Sequence, residues 1–504
     1  MPSLTDLILQ GSPVERHRPW PCAVIDQAGW ISTATALADG HWILLGLWGE
    51  ANAVHMALLE ESSSNIGIVR LEHIEGSYPS IAHYHPPALR LERAIRDLVG
   101  LEALGIPDQR PWLDHGRWGL RSPLGHRSDA QPESTVYEFL PTEGQGLHQI
   151  PVGPVHAGII EPGHFRFTAS GETVVRLEER LGYAHKGIEA LLVGADLDRA
   201  VCIVGRTSGD STVAYAFAFS RAVESALELE VPPRAIWLRA LMAELERLAN
   251  HLGDIGAICN DAAFALMHAH CGVLRERVLR AADTAFGHRM MRDKIIPGGV
   301  TTDLSDAAAL ILRALITEIR QRFMPLVELY DNTASLQDRT VATGVLKPAL
   351  ARQYGAGGYV GRASGRSFDA RRILSYPPYD RLRFEVPVLS EGDVNARIWI
   401  RIREVEQSLS LVEQILEQLP NGPVRTAIPE NHEPREGSAL VEGFRGDILI
   451  WLRLTCDGSI DRCHLRDPSW FQWPLLEAVI EGNIVADFPL CNKSFNCSYS
   501  GHDL

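Results

Sequence analysis

The segment Arg206-Thr207-Ser208-Gly209-Asp210-Ser211 gathers hydroxyls and a carboxylate in one short stretch. Such groups accept and move protons. Any of Ser208, Asp210 and Ser211 can also cap a helix expected from about Thr212 to Leu229, and an acid there complements the helix dipole. The stretch Gly355-Ala356-Gly357-Gly358-Tyr359-Val360-Gly361 invites a nucleotide-binding reading. It fails the dinucleotide fingerprint, because valine stands at 360 where glycine is required and no βαβ pattern surrounds it. A tight turn that allows close packing is the expectation. The eight cysteines are scattered, at 22, 202, 259, 271, 456, 463, 491 and 497, and form no Cys-x-x-Cys pair. This argues against a disulfide framework and against an iron-sulfur site held by this chain alone. Cys456 and Cys463 flank the Asp457-Gly458 turn and are expected as reduced thiols.

These groups need a scaffold, and 504 residues exceed one ordinary core, so two domains are expected. The composition, 45% apolar and 22% charged, is that of a globular protein, and a net charge of -15 argues against nucleic acid as a partner. Met1 to Gln10 has no secretory pattern, and the longest strongly apolar runs, such as Ile43 to Trp48, fall far short of the roughly 20 residues that span a bilayer. The expected location is the cytoplasm, with membrane contact through partner subunits.

Short apolar runs at Trp42 to Trp48, Val54 to Leu59 and Ile66 to Leu71 predict consecutive strands, and Pro87 to Gly100 predicts a helix opened by proline and closed by glycine. A Gly-, Pro- and Ser-rich connection follows. Beyond it, Leu238, Leu241, Leu245, Leu248 and Leu252 recur at helical spacing, as do Ile398, Ile402, Val405, Leu409, Val412 and Leu416 before the Leu419-Pro420-Asn421-Gly422 stop. Further helices are expected around Ala262 to Phe286 and Ser305 to Leu329, and a β-hairpin around Asp457-Gly458. The expected class is α+β: a small α+β domain over residues 1–120, a linker over 121–150, and a large helix-rich domain with peripheral β-hairpins over 151–504.

The segment Glu92-Arg93-Ala94-Ile95-Arg96-Asp97-Leu98-Val99-Gly100-Leu101, with Pro107-Asp108-Gln109-Arg110, resembles the signature of the C-type component of bacterial NADH-quinone oxidoreductase (complex I). Its charges are expected to pair across a subunit surface. From Gly153 onward the chain is similar to the D-type component of that enzyme and to the large subunit of energy-converting nickel-iron hydrogenases. The segments that carry this are Gly153-Pro154-Val155-His156, Gly163-His164-Phe165-Arg166, Leu181-Gly182-Tyr183-Ala184-His185-Lys186-Gly187-Ile188-Glu189, Val231-Pro232-Pro233-Arg234-Ala235 and Glu391-Gly392-Asp393-Val394. The two resemblances cover nearly the whole chain.

The resemblance implies a subunit in the hydrophilic arm of a membrane-associated complex. Its partners would be a small iron-sulfur subunit, a ferredoxin-like iron-sulfur subunit and antiporter-like membrane subunits. Hydrogenases of this type hold nickel with two Cys-x-x-Cys pairs. Here the first pair falls at Ser208 and Ser211, and an ungapped match puts the second at Pro489 and Asn492, so no metal is expected. The resemblance then implies a polar pocket in place of the metal cavity, with Asp210 as proton carrier or hydrogen-bond partner of a quinone-like acceptor. His156 and His164 are placed in the loop that approaches the acceptor, with Ser208 and Ser211 beside it; a structural role for each histidine is the alternative. The family's tyrosine falls at Phe219 or one turn earlier at Tyr215. His185, Glu189 and Arg199 are expected to face the partner's iron-sulfur cluster, or else to form surface salt bridges. An active hydrogenase and a redox-silent coupling subunit are the rival readings. Any NADH would bind a different subunit.

Overall fold

A computed structural model describes residues 3–73, 75–126 and 136–504. The core of the expected linker, residues 127–135, lies outside the described residues.

The N-terminal part is built on three strands, β1 (Ile43–Glu50), β2 (Ala53–Glu60) and β3 (Asn65–Glu72), paired antiparallel in sequence order. Cys22–Val24 adds in parallel to β3. Helix α1 (Leu89–Val99) follows, and Gly100 closes it at φ 87°, where only glycine sits without strain. The three strands and the helix fall where the apolar spacing and the terminal glycine predict. Three charges of α1, Arg90, Glu92 and Arg93, are turned inward. Glu92 is buried and accepts from Ser80 Oγ and Ile81 N at 2.6 and 2.7 Å, and Arg93 pairs with Asp108 at 3.1 Å. The signature therefore ties α1 to the loop that follows it within the same chain.

A three-stranded sheet, β4 (Leu147–Val152), β5 (His164–Ser170) and β6 (Thr173–Arg180), leads into the helical part. Its main helices are α2 (Thr212–Leu227), α3 (Pro233–Asp261), α4 (Ala265–Phe286), α5 (Asp306–Asp331) and α6 (Val394–Gln418). Strands β7 (Arg435–Gly443), β8 (Gly446–Leu454) and β9 (Ile460–Arg466) form an antiparallel sheet, followed by α7 (Phe488–Phe495) and the short α8 (Tyr499–Asp503). The leucine stripe of α3 is buried as its spacing predicts, but so are Arg239, Glu244, Glu246, Arg247, His251 and Asp254 on its other sides. A 29-residue helix enclosed all round must pair its charges internally. His251 Nε2 lies 2.7 Å from Glu404 of α6, Arg362 bonds Glu404 and Glu442 at 2.7 and 2.8 Å, and Arg371 bridges Asp369 and Glu244 at 2.7 and 2.9 Å.

Strands β7 to β9 are central, covered by α2 on one side and by the N-terminal sheet on the other. Trp48 of β1 packs against Trp451 and His464 with ring centroids 5.5 and 4.9 Å apart, and His17–Arg18 joins the edge of β7. Arg70 of β3 donates from Nη2 to both carboxylate oxygens of Glu436 of β7, at 2.8 and 2.7 Å. Packing thus runs through both parts of the chain. Glu436→Gln strips the nearer charge partner from a buried guanidinium, leaving only Glu72 at 3.2 Å, and is expected to cost about 2–4 kcal/mol of stability, read as a lower urea midpoint at unchanged slope.

Candidate functional site

Three loops converge at the start of α2: the turn Arg206–Ser211 before it, the tight β7–β8 hairpin at Phe444-Arg445, and the segment Asn496–Ser498 between α7 and α8. Each has a local cause. Asn496 ends α7 in the left-handed conformation, φ 47°, which asparagine tolerates better than most residues. The hairpin is pinned where Gly446 and Gly358 pass each other, and an added Cβ on Gly358 would lie 2.0 Å from the Arg445 carbonyl. Arg445 is thereby aimed into the space between the loops.

Arg445 grips Asp210 with both nitrogens, Nη1 to Oδ1 at 2.7 Å and Nη2 to Oδ2 at 2.5 Å, and Nη1 also donates to Ser211 Oγ at 3.2 Å. Ser208 Oγ donates to Asp210 Oδ1 at 2.8 Å and lies 2.9 Å from Ser498 Oγ. Since the one Ser208 proton is committed to the carboxylate, Ser498 is the donor in the second bond, giving an oriented chain Ser498 to Ser208 to Asp210. Burial pushes the Asp210 carboxyl up, but the guanidinium and these hydrogen bonds override it and hold it at about 2. Asp210 is a carboxylate at neutral pH.

The helix-capping expectation for this segment is corrected. Ser211 occupies the cap position of α2, but no side chain of the segment bonds the helix start. The first free N–H groups, of Val213 and Ala214, donate instead to the Glu246 carboxylate of α3 at 2.7 and 3.1 Å. Arg445 has recruited the acid and the serine that would otherwise have capped.

A cavity of about 550 Å³ opens beside this cluster, lined among others by Ser208, Asp210, Arg445, Lys493, Ser498, Tyr499 and His156. His156 lies 3.2 Å from the Tyr499 hydroxyl through Nε2. The structure therefore gathers Asp210, Ser208 and His156, with Ser211 behind Arg445. It does not bring His164 there: on β5 it faces the Phe139 ring at 4.6 Å and Arg166 at 3.5 Å. Phe219 and Tyr215 are both fully buried away from the cavity, and the Tyr215 hydroxyl donates to Asp467 at 2.7 Å. The phenol on the cavity wall is that of Tyr499.

The residues opposite Ser208 are also corrected. Pro489 and Asn492 lie on the cavity wall, but the side chain touching Ser208 is Ser498, and Ser498-x-x-Gly501 repeats the three-residue spacing of Ser208 and Ser211. The four positions carry three hydroxyls and a glycine. A hydroxyl at neutral pH is a hard, protonated donor that does not fit nickel, which calls for thiolates in such a centre. Gly501 leaves no room for a ligand either, since an added Cβ would lie 2.5 Å from Asp467 Oδ2. Among the described residues no three His, Cys, Asp or Glu side chains are grouped to hold a metal ion.

Of the residues expected to face a partner cluster, Glu189 is buried, paired with Arg462 and His464 at 2.8 Å each, and held at about 2 despite its burial because of them. Through these pairs it braces β9. His185 is half-buried, stacked on Trp118 at 4.3 Å and bonded to the Asp503 carbonyl at 2.7 Å, while Arg199 is exposed. Arg445, Ser498, Tyr499 and Glu246 belong to no motif singled out in the sequence. The glycines around Arg445 and the repeated Ser-x-x spacing are the signals that point to them.

Comparison with known proteins gives the family. Residues 186–253 match the model of nickel-dependent hydrogenases, and residues 261–440 match that of the 49 kDa subunit of respiratory-chain NADH dehydrogenase. These define the class, a large subunit of a membrane oxidoreductase complex. Formate hydrogenlyase subunit 5 of Escherichia coli is 30% identical over 498 residues, 95% of this chain and 85% of that protein. The D-type component of NADH-quinone oxidoreductase from Desulfotalea psychrophila is 33% identical over 67% of this chain and 91% of its own length. A component of the archaeal membrane-bound sulfane sulfur reductase superposes with a TM-score of 0.68 at 26% identity, covering 71% of this chain and 99% of that one. The chain belongs to the family of complex I 49 kDa subunits and nickel-iron hydrogenase large subunits. No helix among the described residues is long and apolar enough to cross a membrane.

Asp210→Asn leaves Arg445 without its counter-charge and is expected to cost about 2–3 kcal/mol, less than a fully enclosed pair because the cavity side of Asp210 is wet. The Asp210 contribution is fully present above the unfolded carboxyl value of about 4 and fades as pH falls toward about 2; acid unfolding of wild type and Asp210→Asn should therefore converge over that window. Gly501→Ala overpacks against Asp467 and is expected to lower the thermal midpoint, at a cost of about 1–3 kcal/mol.

Proposed function

We propose that this chain is the large subunit of the peripheral arm of a complex I-like oxidoreductase, and that the cavity beside Arg445 receives a quinone-like acceptor. Electrons arrive from an iron-sulfur cluster in a small partner subunit, fed by a ferredoxin-like one. Antiporter-like membrane subunits couple the reduction to ion movement and hold the assembly to the inner face of the cytoplasmic membrane.

The observation that carries this reading is the donor set of the cavity. Where a hydrogenase of this fold needs thiolates, this protein has a hydroxyl chain ending on Asp210, and across the cavity stands the hydrogen-bonded pair His156–Tyr499. A quinone needs hydrogen-bond donors at its carbonyl oxygens and two protons as it takes two electrons. A tyrosine-histidine pair supplies donors, and burial lowers the His156 pKa, so the imidazole is neutral and positions rather than charges the acceptor. Arg445, neutralised by Asp210, fixes the carboxylate at the cavity wall. The donor set gives hydrogen turnover no metal to work on. The chain itself holds no cofactor in this reading.

Tyr499→Phe removes one hydrogen bond and should lower kcat/KM for quinone reduction by the intact complex about tenfold, with assembly unchanged. His156→Gln should do the same. Unaltered turnover in both would favour a redox-silent coupling subunit.

A further inference from the structure

Glu246 is a carboxyl that the reading above leaves unused. It is 5% exposed, sits on α3 behind the Asp210 side of the cavity, and touches only the N–H groups of Val213 and Ala214 through its oxygens. The cations around it are committed elsewhere. Arg247, next on the helix, turns to Glu244 at 3.4 Å and to the carbonyls of Glu442 and Gly443, and Arg445 is taken by Asp210. Asn250 donates to the main-chain carbonyls of both Asp210 and Glu246, at 2.8 and 2.9 Å, and so joins the backbones of the two residues.

We infer that Glu246 is the proton-holding carboxyl of this site, and that it delivers its proton to the acceptor in the cavity through Asp210. The inference rests on the proposed acceptor reduction. It resolves a difficulty there, because Asp210 is held ionised by Arg445 and has no proton of its own to give. A buried acid without a cation keeps its proton. Burial pushes Glu246 up to about 8, its two N–H contacts pull only part of the way back, and the negative Asp210 adds to the rise while Arg247 opposes it.

In the proposed step the proton leaves Glu246, passes over the Asp210 carboxylate and ends on the acceptor oxygen as that oxygen gains electron density. The charge left on Glu246 is received by the two N–H groups at the positive end of α2. Solvent returns the proton. Asp210 thus acts as relay and Glu246 as source, with no other group oxidised or reduced.

The test uses the intact complex carrying wild type, Glu246→Gln or Glu246→Asp. Infrared difference titration of the wild type should show a protonated carboxyl band that disappears with a midpoint near pH 8, is absent in Glu246→Gln and is displaced in Glu246→Asp. Quinone reduction should lose its alkaline limb in Glu246→Gln, with turnover at neutral pH down about tenfold and partly restored in Glu246→Asp. A band unchanged in Glu246→Gln, or the same alkaline limb in both proteins, would overturn the inference. A wild-type complex that shows the band but reduces no quinone would overturn the acceptor reading while leaving the proton site in place.

Discussion

The fold depends on the pairing of charges that have been taken out of water. α3 carries acids and bases on sides that another helix would show to solvent, and apart from Glu246 they meet partners of opposite sign, most from distant parts of the chain. Glu404 of α6, Arg362 and Arg371 from two short helices between α5 and α6, and Glu442 of β7 answer that demand. Such a network contributes little net stability compared with apolar packing, because desolvation offsets most of the attraction. Its effect is on geometry: each pair tolerates one arrangement of helix and strand, and a slip by one residue would leave a buried ion unpaired.

That constraint reaches the cavity through β7 and β8. Glu442 anchors β7 to Arg362, Arg247 bonds the carbonyls of Glu442 and Gly443, and the hairpin that follows can only present Arg445 toward the start of α2. Once placed, a buried guanidinium needs a carboxylate, and Asp210 provides it. The same pairing draws Ser208 and Ser211 away from α2, so that the free N–H groups of the helix fall to Glu246. Capping and cavity chemistry, which compete for one short segment in the sequence, are divided between two helices in the structure.

The parts legible from sequence are those governed by local rules. Strand runs ending in turn residues, the Gly100 stop of α1, the leucine stripe of α3 and the Pro-Asn-Gly end of α6 all stand where spacing puts them, because burial of one face and chain termination are decided within a few residues. Spacing does not show where charge goes when no face is left exposed. Glu92, Arg93 and Glu189 read as surface groups for partner subunits, yet each meets its counter-charge or hydrogen-bonding partners inside this chain. The partner of Ser208 escapes a sequence reading for a similar reason. A count along the chain points to Pro489 and Asn492, while the left-handed turn at Asn496 carries the next segment inward and delivers Ser498.

The proposed function stands on one chemical statement, that oxygen donors around Arg445 have replaced any thiolate cradle and that the cavity serves an acceptor instead of a metal. Metal analysis of the intact membrane complex, purified through this subunit and assayed in parallel for quinone reduction and hydrogen oxidation, tests it most directly. The predicted result is inhibitor-sensitive quinone reduction without nickel. Stoichiometric nickel accompanied by hydrogen turnover would contradict it.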